Sequence, residues 1–132
     1  MVRIEANYDG NLRCTAKHGP SGNTLITDAP VDNNGKGESF SPTDLLATSM
    51  LTCIMTIVAI RAESKGINVS GMSGSVEKTM AANPRRVAKL EIVVNLPGGL
   101  GHEDRAWLIT EGCNCPVCVS VSESMEVDVT FE

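Results

Sequence analysis

Aromatic side chains are scarce in this chain, since its 132 residues include only one Trp, one Tyr and two Phe. The core must therefore be packed by aliphatic side chains and by methionine. Basic side chains are also in the minority, with 11 Lys and Arg against 16 Asp and Glu and a formal net charge of −5. Because no basic stripe is available to neutralise phosphates, we expect no nucleic-acid partner.

The first ten residues carry regularly spaced charges and contain no apolar run, so we expect no secretory leader. We therefore expect a cytoplasmic location. In a reducing compartment, an odd number of cysteines does not indicate a structural disulfide framework. We interpret the five thiols as buried apolar residues, metal ligands or redox groups; they are Cys14, Cys53, Cys113, Cys115 and Cys118.

The longest apolar segment runs from Leu45 to Ile60 and contains no charged residue. Ser41 and Pro42 before it are typical of the N-cap and first position of a helix, and Gly66 is a stop signal. The pattern predicts a helix of about 24 residues. A helix that is apolar all round is buried all round, so other elements or a second copy of the chain must cover it. Thr and Ser interrupt the run before it reaches the length of about 20 residues that a membrane span needs, so we expect no membrane partner.

Alternation of apolar and polar residues predicts three strands before this helix and three after it. The predicted strands cover residues 2–8, 12–17, 23–27, 67–80, 88–96 and 125–131, and Asp9-Gly10 is predicted as the turn of the first hairpin. A helix is predicted over residues 103–112, and a short one follows it. The order βββ-α-ββ-α-α-β predicts a single α+β domain over residues 1–132.

The segment CNCPVC at residues 113–118 holds three of the five cysteines. Pro116 predicts the first position of a new helical turn, which places Cys115 at the N-cap, where free backbone N–H groups favour a thiolate. Cys118, three residues further on, shares the same helical face. Three thiolates could bind zinc, but the chain has no second CxxC pair and only two histidines, so a structural zinc site is the less favoured interpretation.

Taken together, three motifs resemble the OsmC/Ohr family of osmotically inducible and organic hydroperoxide resistance proteins, in its OsmC-like branch. They are the sequence SPTDLLA at residues 41–47, Cys53 on the long helix, and Cys115-Pro116-Val117. The element order also matches that family over nearly the whole chain. The resemblance implies two antiparallel sheets that wrap long central helices in an intertwined homodimer.

The resemblance also implies a cysteine-based peroxidase of the oxidative stress response, which reduces organic hydroperoxides or hydrogen peroxide. Cys53 would attack the peroxide and become a sulfenic acid, and Cys115 would resolve it to a disulfide. A dithiol reductant, of the lipoyl type in some family members, would restore both thiols. No metal or organic cofactor is implied.

A buried Cys53 needs a cation or a hydrogen-bond donor to offset desolvation. The resemblance implies an arginine from the early strands, held by a glutamate near the start of the central helix, and Arg13 lies close to the place of that arginine. The family's glutamate would directly follow Pro42, where this chain has Thr43, so Glu38 and Asp44 are the candidate substitutes.

Three alternatives remain open at this point. Cys53 can be an ordinary core residue, as Cys14 is expected to be, which would leave a non-catalytic OsmC-like dimer that senses redox state or binds a small ligand. The Cys113–Cys118 segment can bind a metal. Cys118 can also compete with Cys115 as the resolving thiol.

Overall fold

Strands β1 (Ile4–Gly10), β2 (Arg13–His18) and β3 (Thr24–Asp28) form an antiparallel sheet in chain order. A computed structural model describes all 132 residues and divides them into two compact units, Met1–Leu46 and Ala47–Glu132. This sheet belongs to the first unit. The prediction of one domain over the whole chain stays a prediction.

The turn between β1 and β2 differs from the sequence prediction. Gly10 pairs with Arg13, so Asn11 and Leu12 are the two central residues, and both have left-handed φ values of 54° and 61°. A register shift between Tyr8 and Gly10 places Asp9 in a bulge instead of the turn. The prediction of an Asp9-Gly10 turn is therefore wrong by two residues, because Asn tolerates the left-handed region well enough to open a tight hairpin turn.

Helix α1 (Pro42–Ser64) follows a single 3₁₀ turn at Val31–Asn33. Ser41 caps the helix as predicted and forms a capping box with Asp44: Ser41 N–H donates to Asp44 Oδ2 at 2.9 Å, and Asp44 N–H donates to Ser41 Oγ at 3.1 Å. Gly66, with a φ of 66°, ends the helix as predicted.

Within the chain, α1 is buried along one stripe only. This stripe consists of Ala47, Met50, Ile54, Val58 and Ala62, which recur every three or four residues. Ile60, by contrast, is 53% exposed. By length and composition alone α1 could cross a membrane, but the core helix of a soluble protein passes the same test.

The second unit contains a sheet of β4 (Ser73–Ala81), β5 (Arg86–Asn95) and β6 (Glu126–Phe131) in that order. The strand predicted from residue 67 begins only at Ser73, because a turn with Gly71 at a φ of 88° precedes it. The central strand β5 buries Leu90, Ile92 and Val94, which confirms its predicted alternation.

This second sheet is mixed rather than wholly antiparallel. Strand β4 pairs antiparallel with β5, whereas β6 pairs parallel with it. A parallel neighbour requires a crossover, and α2 (His102–Cys113) and α3 (Pro116–Val121) supply the chain between the two strands.

Helix α2 contacts the C-terminal half of α1 through side chains of opposite charge and through an aromatic ring. Arg61 Nε lies 3.0 Å from Glu111 Oε2, and the Lys65 ammonium lies 3.6 Å from the centre of the Trp107 ring. At the end of α2, a Cβ added to Gly112 would lie 2.8 Å from Val58 Cγ2. The absence of a side chain at Gly112 therefore lets α2 approach α1 closely just before the cysteine segment.

Replacing Gly112 by alanine should destabilise the second unit. Overpacking against Val58 lowers the free energy of unfolding by about 1–3 kcal/mol, whereas the better helix propensity of alanine raises it by about 1 kcal/mol. We expect a melting temperature lower by about 4 °C in thermal unfolding monitored by circular dichroism. Gly98→Ala is the matched control, because a Cβ at Gly98 meets nothing within 4 Å. Equal melting temperatures for the two variants would contradict the proposed close approach.

Candidate active site

Cys53 lies in the middle of α1 and is half-buried. Its sulfur lies close enough to the Val117 backbone N–H and to the Cys115 side chain for both groups to shift the pKa of Cys53. Burial raises the pKa of Cys53, the Val117 N–H lowers it, and the hydrogen bond and negative charge of Cys115 raise it again. The structure therefore brings the two sequence-predicted cysteines together in the second unit.

Cys115 is the N-cap of α3, as Pro116 predicted, and its side chain is completely buried at 0% exposure. The Cys118 N–H donates to Cys115 Sγ at 3.2 Å. Pro116 has no N–H, and the next two N–H groups of α3 both face cysteine sulfur. The N–H of Val117 acts on Cys53, and the N–H of Cys118 donates to Cys115. The first turn of this short helix thus provides one donor to each of the two thiols.

Cys118 is a third thiol at the same place. Its Sγ lies 2.7 Å from Cys115 Sγ and 3.0 Å from Met50 Sδ. Burial, together with the neighbouring Cys115, raises the pKa of Cys118 to about 12. We call Met50, Cys53, Cys115 and Cys118 the sulfur cluster. Met50 is not among the residues predicted from the sequence, although its position three residues before Cys53 on α1 places both side chains on nearby faces of the helix.

An open cavity of about 310 Å³ lies beside the sulfur cluster. Cys118 and the exposed Cys113 line it on one side. The rest of the lining consists of Ser122, Met125, Val127 and Val129. Small molecules can therefore approach Cys118 from solvent within the second unit.

The predicted charged residues form a separate group in the first unit. Arg13 Nη2 lies 3.4 Å from Asp28 Oδ2 and also donates to the carboxylate of Glu38. The Glu38 N–H donates to Asp28 Oδ2 at 2.9 Å. Of the two candidate carboxylates, Glu38 is thus in contact with Arg13, while the Asp44 carboxylate accepts the helix-capping hydrogen bond from Ser41 N–H.

Asp28 joins this group and was not predicted from the sequence, where the third strand was expected to end at residue 27. Its side chain has 0% exposure, and it lies at the end of β3 opposite Arg13. The Glu38 N–H, opposed by burial and assisted by the Arg13 guanidinium, holds the pKa of Asp28 below its usual value. The available sequence signal was the position of Asp28 directly after an alternating strand, where Arg13 on the neighbouring strand could face it.

The two remaining cysteines do not join either group. Cys14 is half-buried on β2, and Cys113 is exposed at the end of α2. No group of three His, Cys, Asp or Glu side chains in the 132 residues is placed to hold a metal ion. The Cys113–Cys118 segment therefore does not form the thiolate set that a zinc site requires.

The lowered pKa of Asp28 predicts a pH-dependent stability. A carboxylate with a depressed folded-state pKa stabilises the protein above its unfolded pKa of about 3.8, and this contribution is lost as the pH falls through the folded value. Asp28→Asn should therefore lower the melting temperature at pH 7, and the difference from the wild type should shrink below about pH 4. Glu123→Gln, on an exposed residue, is the control. A difference that is the same at pH 3 and pH 7 would contradict the prediction.

Comparisons of the sequence and of the structure with known proteins both point to one family. The family model described as OsmC-like protein matches residues 35–130. A crystal structure from Psychrobacter arcticus, of a protein named for the osmotic stress induced and detoxification response, is 41% identical, with a TM-score of 0.94 and coverage of 100% of this chain and 96% of the other. No curated protein matches the chain.

More distant structures share the fold. The organic hydroperoxide resistance protein OsmC of Legionella pneumophila is 18% identical, with a TM-score of 0.77 and coverage of 100% and 96% of the two chains. The organic hydroperoxide resistance protein OhrB of Bacillus subtilis is 15% identical, with a TM-score of 0.68 and coverage of 100% and 98%. The family match over residues 35–130, the shared fold and the 41% identical relative establish that this chain belongs to the OsmC-like protein family.

Proposed function

We propose that this protein is a thiol-dependent peroxidase that reduces organic hydroperoxides, or hydrogen peroxide, with Cys53 and Cys115. The observation that carries the proposal is that Cys115 lies near enough to Cys53 to shift its pKa, although the two residues are more than sixty positions apart in the sequence. Structural relatives named as organic hydroperoxide resistance proteins support the choice of substrate class.

The proposed reaction uses each sulfur in turn. The Cys53 thiolate attacks the terminal peroxide oxygen, the O–O bond breaks, and the departing alkoxide takes a proton to leave as an alcohol. The resulting sulfenic acid is attacked by the sulfur of Cys115, which forms the Cys53–Cys115 disulfide and releases water. A dithiol reductant then restores both thiols and is itself oxidised to a disulfide.

Burial works against the first step, because it raises the pKa of Cys53. The Val117 N–H lowers the pKa again and so offsets part of this effect. We propose that the Arg13 guanidinium is the cation that offsets the rest. Hydrogen bonds from Arg13 to Glu38 and Asp28 raise the pKa of its guanidinium, so it stays charged at every relevant pH. In this proposal Glu38 takes the place of the glutamate that the family has after the proline, and it orients the guanidinium.

We also propose that the protein is a homodimer. Only one stripe of α1 is buried within the chain, although the helix carries no charge from Leu45 to Ile60. In the first unit, Ile4 and Ile26 lie on opposite faces of the β1-β2-β3 sheet and are 67% and 54% exposed. Exposed apolar surface of this extent favours association, and a second copy of the chain is the simplest partner.

A cytoplasmic location fits the proposed chemistry. The cycle requires thiols that are re-reduced after each turnover, and the cytoplasm supplies such reductants. All five cysteines are free thiols in the structure.

The central experiment measures consumption of tert-butyl hydroperoxide by the purified protein with dithiothreitol or dihydrolipoamide. Cys53→Ser should abolish consumption, because it removes the attacking sulfur. Cys115→Ser should accumulate a sulfenic acid on Cys53 that dimedone labels, because the resolving sulfur is missing. Cys14→Ser, which removes a thiol of the first unit, should leave the rate unchanged.

Two results would count against the peroxidase proposal. The first is a wild-type protein that consumes no hydroperoxide with any dithiol. The second is a Cys53→Ser variant as active as the wild type. Single oxidation of Cys53 without turnover would instead favour the redox-sensing alternative.

The dimer is tested by light scattering coupled to size-exclusion chromatography. We expect a mass twice the 14.0 kDa of the chain. Ile60→Glu should shift the protein towards monomer, because it places a charge on the uncovered apolar side of α1. Ser64→Glu adds the same charge one turn further on, at a position that is already polar and exposed, and should keep the wild-type mass. A wild-type mass of a single chain would overturn the homodimer.

A further inference from the structure

The two-cysteine cycle leaves open how an external reductant reaches its disulfide. Cys115 has 0% exposure, so a dithiol cannot approach its sulfur directly from solvent. Disulfide exchange requires the attacking sulfur to approach along the S–S axis, which a fully buried sulfur does not allow. Cys53 is half-buried, so only an attack on the Cys115 side of the disulfide needs a separate route to the surface.

Cys118 lies on such a route. Its sulfur is 2.7 Å from Cys115 Sγ, and its side chain also lines the open cavity of about 310 Å³. Cys118 is therefore placed to accept the disulfide bond from the buried Cys115 and to present it to a reductant in the cavity. The cavity wall is mainly apolar, with Met125, Val127 and Val129, and suits the hydrocarbon part of a lipoyl-type dithiol.

We propose that Cys115 and Cys118 form a second disulfide couple, which takes over the oxidation from the Cys53–Cys115 disulfide and passes it to the dithiol reductant through the cavity. The transfer step rests on the peroxidase function proposed above. The couple itself is a property of the two neighbouring thiols.

The exchange balances without any added oxidant. The Cys118 sulfur attacks Cys115, the Cys115–Cys118 bond forms, the Cys53–Cys115 bond breaks, and Cys53 leaves as a thiolate that takes up the proton lost by Cys118. The Val117 N–H is already directed at Cys53 and stabilises the leaving thiolate. The reductant dithiol then attacks Cys118 from the cavity, Cys115 leaves, and the second thiol of the reductant releases Cys118 and closes the reductant's own disulfide.

The electrostatics of the cluster change in favour of this step once Cys53 is oxidised. Burial is the first cause of the raised pKa of Cys118, followed by the hydrogen bond with Cys115 and then by the charge of Cys115. In the Cys53–Cys115 disulfide neither partner carries a charge. Cys118 therefore loses its proton more easily at the stage where it must attack.

Peptide mapping can distinguish the two disulfides directly. Trypsin cuts after Lys36, Arg61 and Arg105, so Cys53 lies on residues 37–61, and the three cysteines of the C-terminal segment lie together on residues 106–132. The reduced protein is treated with one equivalent of tert-butyl hydroperoxide, alkylated and digested without reduction. We expect a cross-linked pair of peptides early and a disulfide within the 106–132 peptide at the end.

Single-cysteine variants identify which cysteines form each disulfide. Cys118→Ser should stop at the cross-linked pair and should lose most of its turnover with dihydrolipoamide. Cys113→Ser is the matched control, since it removes the other thiol lining the cavity, and it should still give the disulfide within 106–132. A wild-type protein that retains the Cys53–Cys115 cross-link, with Cys118→Ser turning over at the same rate, would overturn the transfer.

A last arm separates this inference from the peroxidase proposal. Cys53→Ser, which has no attacking sulfur, is equilibrated with oxidised and reduced dithiothreitol in the absence of peroxide. Formation of the disulfide within 106–132, and its loss in Cys53→Ser/Cys118→Ser, supports the couple even if the wild type consumes no hydroperoxide. Failure to form it under oxidising conditions would overturn the couple, whatever the peroxidase assay shows.

Discussion

The hydrogen bond from Val117 N–H to the sulfur of Cys53 is the contact on which the candidate site depends. A thiolate in an apolar interior is costly unless donors or cations face it, and burial does raise the pKa of Cys53. The first turn of a helix offers N–H groups that no carbonyl within the helix accepts, and α3 places one of them against α1. That placement in turn requires α2 to end close to α1, which the missing side chain of Gly112 allows. A packing detail on one helix thus affects the charge state of a thiol on another.

The charged group of the first unit is organised by a residue with no expected catalytic role. Asp28 accepts the N–H of Glu38 and faces Arg13, while its own N–H donates to the Phe40 carbonyl at 2.9 Å. The long loop before α1 is therefore closed at its base by one buried carboxylate. Because the loop is held in this way, Glu38 can reach Arg13 from a position several residues before the helix. Glu38 and Asp28 together therefore hold the Arg13 guanidinium.

Much of the fold followed from the sequence because the deciding interactions are local. The capping box of Ser41 and Asp44, the stop at Gly66 and the alternation of β5 each depend on neighbours within a few positions. The pairing of β6 parallel to β5 was not foreseen, since strand direction depends on contacts between distant segments. Asp28 and Met50 were missed for the same reason. Each becomes significant only through a partner that the fold brings to it, Glu38 in one case and Cys118 in the other.

The position of Cys53 relative to the buried stripe of α1 bears on substrate access. Its neighbours Met50 and Ile54 are fully buried, whereas Cys53 is half-buried at the margin of the stripe. A sulfur in the middle of the stripe would be out of reach of a peroxide in solvent. A sulfur on the opposite side of the helix would be hydrated, and a few hydrogen-bond donors would then change its pKa little. A margin position satisfies both requirements. If a second copy of the chain covers the open side of α1, the same association that buries the helix also forms the wall past which a hydroperoxide must enter. Stability of the assembly and selection of the substrate would then depend on one apolar surface.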